Sequence, residues 1–244
     1  MSKLSIIIIT KNESSNIEDC IKSVSFANEI IVVDSGSTDN TIKIAKKLGA
    51  KVFIKPWMGY GRQKNYAINL CSGDWILSID ADERISSPLK KEILKVIESS
   101  EFNAYSAPRK SYFIARFIKY SGWQSDRVTR LFKKGVGKYS NHQVHERLLT
   151  KYKIGFLYGN IIHYSYRNVE DVIQKINRYS TLGAKELLYR GEASSLRKAL
   201  MHGSWAFFRS YFIKLGLFDG REGFVLAFSK FEHTYYKYIK KIYI

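Results

Sequence analysis

Along the first hundred residues, short unbroken apolar runs alternate with segments whose apolar residues recur every three or four positions. Leu4 to Ile9 is the first run. Ser15, with Glu18 three residues on, has the form of a capping box for a helix carrying Ile17, Cys20, Ile21 and Val24 on one face. Ile30 to Val33 predicts a second strand, and Ile42, Ala45 and Leu48 predict a helix closed by Gly49 at its C-terminal cap. Lys51 to Ile54 reads as a third strand, residues 62–71 as a helix and Trp75 to Ile79 as a fourth strand. Pro88 then opens a helix whose Leu89, Ile93, Val96 and Ile97 share a face. Strands apolar on both sides and alternating with helices predict a parallel sheet covered on both faces, a doubly wound α/β fold.

Beyond about residue 101 the segments lengthen and become rich in aromatic residues. Strand signals at 104–107, 128–133 and 154–164 surround a polar loop, SNHQVHER, and residues 169–244 read as helices rich in Tyr, Phe, Lys and Arg. Hydrophobic residues at 45%, charged residues at 25% and only three prolines fit a globular core without disordered linkers. Cys20 and Cys71 form no metal or redox spacing and are expected as buried free thiols in a reducing compartment. The 40 Lys and Arg against 22 Asp and Glu, a net charge of +18, favour a polyanionic partner: nucleic acid, an anionic membrane face or a phosphorylated small molecule. MSKLSIIIIT has roughly half the apolar length of a signal-peptide core. No run approaches the ~20 apolar residues that span a bilayer, so a cytoplasmic chain, soluble or peripheral, is expected.

In parallel sheets ligands bind at the carboxyl ends of the strands, and the unusual polar residues collect there. Thr10-Lys11-Asn12-Glu13 follows strand one, Asp34 closes strand two, and Asp80-Ala81-Asp82 closes strand four, so the three clusters should converge. In extended backbone Asp80 and Asp82 would face one side, with Ala81 towards the packed sheet and Glu83 turned away to a local partner such as Arg84. Two such carboxylates suit a hard divalent cation, Mg²⁺ or Mn²⁺; the alternative is a solvated loop capping the next helix.

TKNE, VVDSGSTDNT, the Gly61-Arg62-Gln63-Lys64-Asn65 stretch and DWILSIDADE occur in this order, each at a strand end or helix start. Together they resemble the family 2 nucleotide-sugar glycosyltransferases with the GT-A fold. The later VHERL and GLFDGREGF narrow the resemblance to bacterial lipopolysaccharide core glycosyltransferases of the heptose-glucosyltransferase type. It implies a GT-A domain at 1–165, with a nucleotide-sugar-binding half at 1–100 and an acceptor-side half at 101–165, followed by a helical basic-aromatic extension at 166–244. It further implies that Thr10, Asn12 and Glu13 line the nucleotide pocket, that Asp34 hydrogen-bonds the base, that Asp80 faces the ribose and sugar, and that Asp82 holds the metal on the diphosphate. It also implies that Lys64 contacts the nucleotide-sugar; many relatives have Arg there, and an ammonium does not reproduce a bidentate guanidinium contact, so Arg62 is a candidate to compensate.

The implied activity is inverting transfer of a hexose from a nucleotide-diphospho-sugar, a UDP-sugar, to a lipid-linked or core oligosaccharide. The acceptor hydroxyl then needs a base within hydrogen-bond reach, and the resemblance puts it near Glu146, with Asp126 in reserve. His145 and His163 are open between a structural role and one near the base or metal. Lys and Arg interleaved with Tyr, Phe and Trp in the C-terminal third suit an anionic leaflet, or else a helical appendage with solvated lysines. A polyprenyl-phosphate acceptor is the enzyme alternative. Nucleic-acid binding ranks below both, since no recognised nucleic-acid motif is present and the acidic residues gather where a phosphate backbone would be repelled.

Overall fold

The computed structural model describes residues 2–123, 126–140 and 146–244. The chain forms two compact units: Met1–Arg109 with Asp126–His163, and Lys110–Ser125 with Tyr164–Ile244.

In the first unit β1 (Leu4–Thr10), β2 (Glu29–Asp34), β3 (Lys51–Ile54) and β4 (Trp75–Asp80) are parallel, in the order β3-β2-β1-β4. Every residue of β1 is buried, because helices cover both faces of the sheet. Leu4, Ile6 and Ile8 pack with Ile17, Cys20 and Ile21 of α1 (Ile17–Ser23), Ala45 of α2 (Thr41–Lys47) and Leu89 and Ile93 of α4 (Ser87–Glu98). Ile7 and Ile9 point the other way, onto Ala67 of α3 (Tyr60–Leu70). Two cores on the two faces of one sheet are what the doubly wound pattern predicts, and the GT-A class expected from the resemblance holds. The order of the sheet continues through β8 (Arg127–Lys133) to β6 (Ala104–Phe113), both joined antiparallel.

Several local expectations need correction. The Ser15 and Glu18 capping box does not form: α1 is capped at Asn16, whose amide donates to Glu13 Oε2 at 2.7 Å. The run at 154–164 is two strands, β11 (Ile154–Phe156) and β12 (Ile161–Tyr166), because the chain between them turns against α4. A Cβ on Gly159 would lie 2.3 Å from the Leu89 nitrogen, so that turn needs glycine for close approach. Residues 83–85, which the sequence pattern assigns to no element, form β5 (Glu83–Ile85), antiparallel to β12. β9 (Gly137–Tyr139) and β10 (Leu148–Thr150) make a separate hairpin.

The second unit holds β7 (Arg116–Phe117) and α5 (Val169–Tyr189). α6 (Leu196–Phe208) follows, continued by a π-helical turn at Arg209–Ile213, then a 3₁₀ turn at Gly216–Asp219 and α7 (Gly220–Tyr243). GLFDGREGF is explained by packing at this corner. Asp219 is fully buried and accepts the backbone N–H groups of Lys119 and Tyr120, each at 2.9 Å. A Cβ on Gly223 would stand 1.9 Å from the Gly216 carbonyl, so only glycine lets α7 start there. Among the described residues, no helix is long and apolar enough to cross a membrane.

Candidate active site

Strand register brings the predicted clusters together. Thr10 lies opposite Asp34 between β1 and β2, and Ile9 lies opposite Asp80 between β1 and β4, so the three polar strand ends share one edge of the sheet. Thr10 is buried with its hydroxyl unpartnered among the described residues. Asn12 takes a left-handed φ of 56° and accepts the Thr38 N–H at 2.8 Å, while the Glu13 N–H donates to Thr41 Oγ1 at 2.8 Å. Asp34 is fully buried, its carboxylate accepting the N–H groups of Gly36 and Ser37 at 2.8 and 2.7 Å and the Ser37 hydroxyl. Asp39 does the turn chemistry expected of it, accepting the N–H groups of Thr41 and Ser14, each at 3.0 Å.

At Asp80 the site departs from the sequence reading. β4 ends there and Ala81-Asp82 is a turn, so strand alternation does not govern Asp82. Ala81 is buried, as expected. Asp80 Oδ1 takes the Lys64 ammonium at 2.9 Å, and its Oδ2 takes the Arg130 guanidinium at 2.5 Å. Asp82 Oδ2 lies instead 3.3 Å from Nε2 of His163 on β12. Glu83 is not turned outward to Arg84. It is fully buried, accepts the Asp80 N–H at 3.0 Å, and pairs with Arg130 at 3.2 Å and Arg109 at 3.4 Å.

Lys64 also differs from its predicted part. Its side chain is 1% exposed, and the same Nζ that meets Asp80 lies 2.6 Å from Glu146 Oε1. It joins two carboxylates, where a nucleotide contact was expected; Arg62, on the same helix, is exposed. Asn65, the next residue, donates to the Tyr139 carbonyl at 2.9 Å and accepts the Tyr139 N–H at 2.8 Å. Ser140 and Arg147 then pair at the neck of the hairpin, at 2.9 and 3.1 Å. Consecutive residues of α3 therefore fix both the strand leading towards Glu146 and its carboxylate. His145 and residues 141–144 lie outside the described residues.

The reserve base, Asp126, pairs with Arg109 at 2.6 Å. Glu146, Lys64, Asp80, Arg130, Glu83, Arg109 and Asp126 thus form one chain of alternating charge. Burial pushes the Asp80 carboxyl up, but Arg130 and Lys64 outweigh it and hold it far below the usual carboxylate range. Burial and Arg130 push Lys64 down; Asp80 and Glu146 reverse this, and it stays charged, above its ordinary value. Burial pushes the Cys20 thiol up and raises Cys71 to about 12, which leaves both inert as expected.

Arg130 and Arg109 were missed in the sequence, and Glu83 was given the wrong direction. The available signal was charge: three carboxylates at 80, 82 and 83 need buried counterions, and β8 offers an arginine amid its apolar residues. The network of alternating charge has four carboxylates against three cations, and the Asp82 carboxylate, paired with His163, stands beside it. The Asp82 oxygen is a suitable donor for Mg²⁺ or Mn²⁺, whereas the His163 nitrogen beside it is a poor donor for the harder Mg²⁺. No group of three His, Cys, Asp or Glu among the described residues makes a closed metal cage, so further ligands would come from a bound molecule or water.

The family model for glycosyl transferase family 2 matches residues 5–171. An uncharacterized glycosyltransferase of Rickettsia prowazekii is 37% identical over 95% of this chain and 85% of its own length. The lipopolysaccharide core biosynthesis glycosyltransferase LpsC of Rhizobium meliloti is 31% identical over 92% of this chain and 86% of its own. Among solved structures, Staphylococcus aureus TarS (residues 1–349) is similar with a TM-score of 0.48 and 15% identity, covering 76% of this chain; this chain spans 65% of it. Glucosyl-3-phosphoglycerate synthase of Mycobacterium tuberculosis, solved with Mn²⁺ and UDP, has a TM-score of 0.38 and 26% identity over 46% of this chain and 44% of its own.

Proposed function

Because the chain belongs to glycosyl transferase family 2, we propose that it moves a hexose from a UDP-sugar to a saccharide acceptor of the lipopolysaccharide core, with inversion at the anomeric carbon. The observation that carries this reading is the Lys64 ammonium, which links Asp80, at the strand edge where a nucleotide-sugar would lie, to Glu146. One buried cation thereby ties a donor-side carboxylate to the group we assign as base.

Thr10, Asn12 and Asp34 border the nucleotide, and Asp80 faces the ribose and sugar. Glu146 takes the proton of the acceptor hydroxyl as its oxygen attacks the anomeric carbon. The bond from that carbon to the diphosphate oxygen breaks, and its electron pair leaves with the nucleoside diphosphate. Attack opposite the leaving group inverts the configuration. Asp82, with His163 beside it, would hold the cation, whose chemistry when bound is Lewis-acid stabilisation of the departing diphosphate. Its acceptor is lipid-borne in this reading, and the chain works from the cytoplasmic face of the membrane. Support for the acceptor class comes from the LpsC relative.

The test is a donor panel with Mg²⁺ and with Mn²⁺, scored for nucleoside-diphosphate release with and without a core oligosaccharide. Release that depends on a UDP-sugar, the oligosaccharide and the metal is expected. Glu146→Gln should lower kcat by about 10²–10⁴-fold, the usual worth of a general base. Transfer unchanged in Glu146→Gln, with a polyprenyl phosphate preferred as acceptor, would replace this reading by the phosphate-acceptor one. Full metal-dependent activity in Asp82→Ala would remove the metal from this site.

A further inference from the structure

The second unit is built inside out along α6 and the π-helical turn. On these two elements the buried side chains are small, Ala199, Gly203 and Ser210, and they face α7, which buries Gly223, Ala227 and Ser229 and has Leu226 and Tyr238 as the large side chains turned inward. At Gly203 the packing is tight, since a Cβ would stand 3.0 Å from the Phe231 ring. Large apolar side chains face out. Met201, Trp205, Phe208 and Phe212 are spaced by four, three and four residues, one stripe along the helix, and their exposures are 60%, 55%, 46% and 46%. Ring contacts make the surface continuous: Trp205 meets Phe208 at 6.0 Å, Phe208 meets Phe212 at 5.2 Å, and Phe212 reaches Phe224 and Phe228 of α7 through Tyr211.

A contiguous apolar patch of this kind on a water-soluble surface marks a place where another phase or molecule sits. Charge chooses the occupant. Arg197, Lys198, Arg209 and Lys214 are all exposed in the same stretch. Its two acids are spent, Asp219 buried on backbone N–H groups and Glu222 paired with Arg221 at 2.6 Å. A second copy would bring like charges face to face across the same patch, whereas anionic lipid headgroups complement it. With no spanning helix among the described residues, the geometry is that of a helix lying in the interface plane.

We propose that residues 196–228 are an interfacial surface that seats this unit on an anionic bilayer, with Trp205, Phe208 and Phe212 in the headgroup and acyl boundary. The inference rests on the proposed function only for its purpose, presenting a lipid-borne acceptor; the surface stands on the residues above.

The test is co-sedimentation of the full chain with vesicles of phosphatidylcholine alone and with phosphatidylglycerol added. Binding should need the anionic lipid and weaken with salt. Trp205→Ser with Phe212→Ser should weaken it at least about tenfold, since each removed side chain carries several buried methylene equivalents. Arg209→Glu with Lys214→Glu should weaken it and flatten its salt dependence. Transfer to a delipidated core oligosaccharide, measured on the same samples, should be unchanged by either pair. Equal binding to both vesicle types, or none, would overturn the proposal while leaving the glycosyltransferase reading intact. A wild-type dimer in sedimentation velocity that the Trp205 and Phe212 pair dissolves would overturn it in favour of self-association. Vesicle binding without any sugar transfer would fault the function and not the surface.

Discussion

Helices α4 and α6 obey opposite rules. In α4, Leu89, Ile93 and Ile97 are buried while Lys90, Lys91 and Lys95 face water, the usual result of removing apolar surface from solvent. In α6 the buried positions are Ala199 and Gly203, and the large apolar side chains lie outside. Both are amphipathic, but the apolar stripe of α6 is not consumed by its own unit. The difference teaches that α4 spends its apolar stripe on its own core, whereas α6 packs through small residues beside the apolar clusters of Val172 with Leu226 and of Leu187 with Tyr238, and leaves its large apolar side chains for something else. That contrast can be broken by substitution.

The largest effect is expected at Lys64. Lys64→Met leaves Glu146 without its cation and Asp80 with Arg130 alone, and removing one partner of a buried pair costs about 3–5 kcal/mol. Denaturant unfolding should show the loss. Transfer should fall with it, since the group holding Glu146 is gone. Ile93→Ala in α4 should cost about 2–5 kcal/mol through the cavity it leaves. On α6 the sensitive position is the small residue: Gly203→Leu drives a side chain into Phe231 and should cost about 1–3 kcal/mol. If Gly203→Leu were neutral, the inside-out description of α6 would be wrong.

Acid should act first on the first unit, where carboxylates are tied into the sheet. Glu29, at the amino end of β2, is pushed up by burial, but the Ser5 hydroxyl, the Ser72 N–H and Lys51 outweigh this and bring it down to about 2. Its folded value is below the ordinary value of ~4.3, so its contribution to stability is fully present above that pH and is lost as pH falls through about 2. Glu29→Gln should therefore flatten the acid limb of stability between those values, measured by urea titrations at stepped pH.

What the sequence disclosed follows the range of the interactions. β3, at Lys51–Ile54, and the buried face of α1 were readable because hydrophobic period is a local signal. The convergence of Thr10, Asp34 and Asp80 was readable because parallel register and strand ends place them there without further information. Lys64 was not, since its partner Glu146 is 82 positions away and a lysine between Gln63 and Asn65 looks like any surface residue. Glu83 was misread because the alternation of β4 stops at Asp80, and its counterion Arg130 is 47 positions distant. The capping box failed for a local reason: the helix starts one residue later than expected, with Asn16 at the N-cap position and its side-chain amide donating back to Glu13.

The smallest stability effect should come from the residue that looks most hydrophobic on the page. Trp205 is 55% exposed, so Trp205→Ser removes little that folding buried, and its cost should stay within about 0.5 kcal/mol. In an ordinary core helix the same truncation would cost about 3–5 kcal/mol. A thermal melt of the two proteins in the absence of lipid decides between these outcomes. A large drop would mean that the indole is a structural member of the second unit, and the contrast between α4 and α6 would then be one of degree. A matched melt would mean that the sequence keeps a tryptophan its own fold does not use, where solvent exposure of the indole alone is unfavourable.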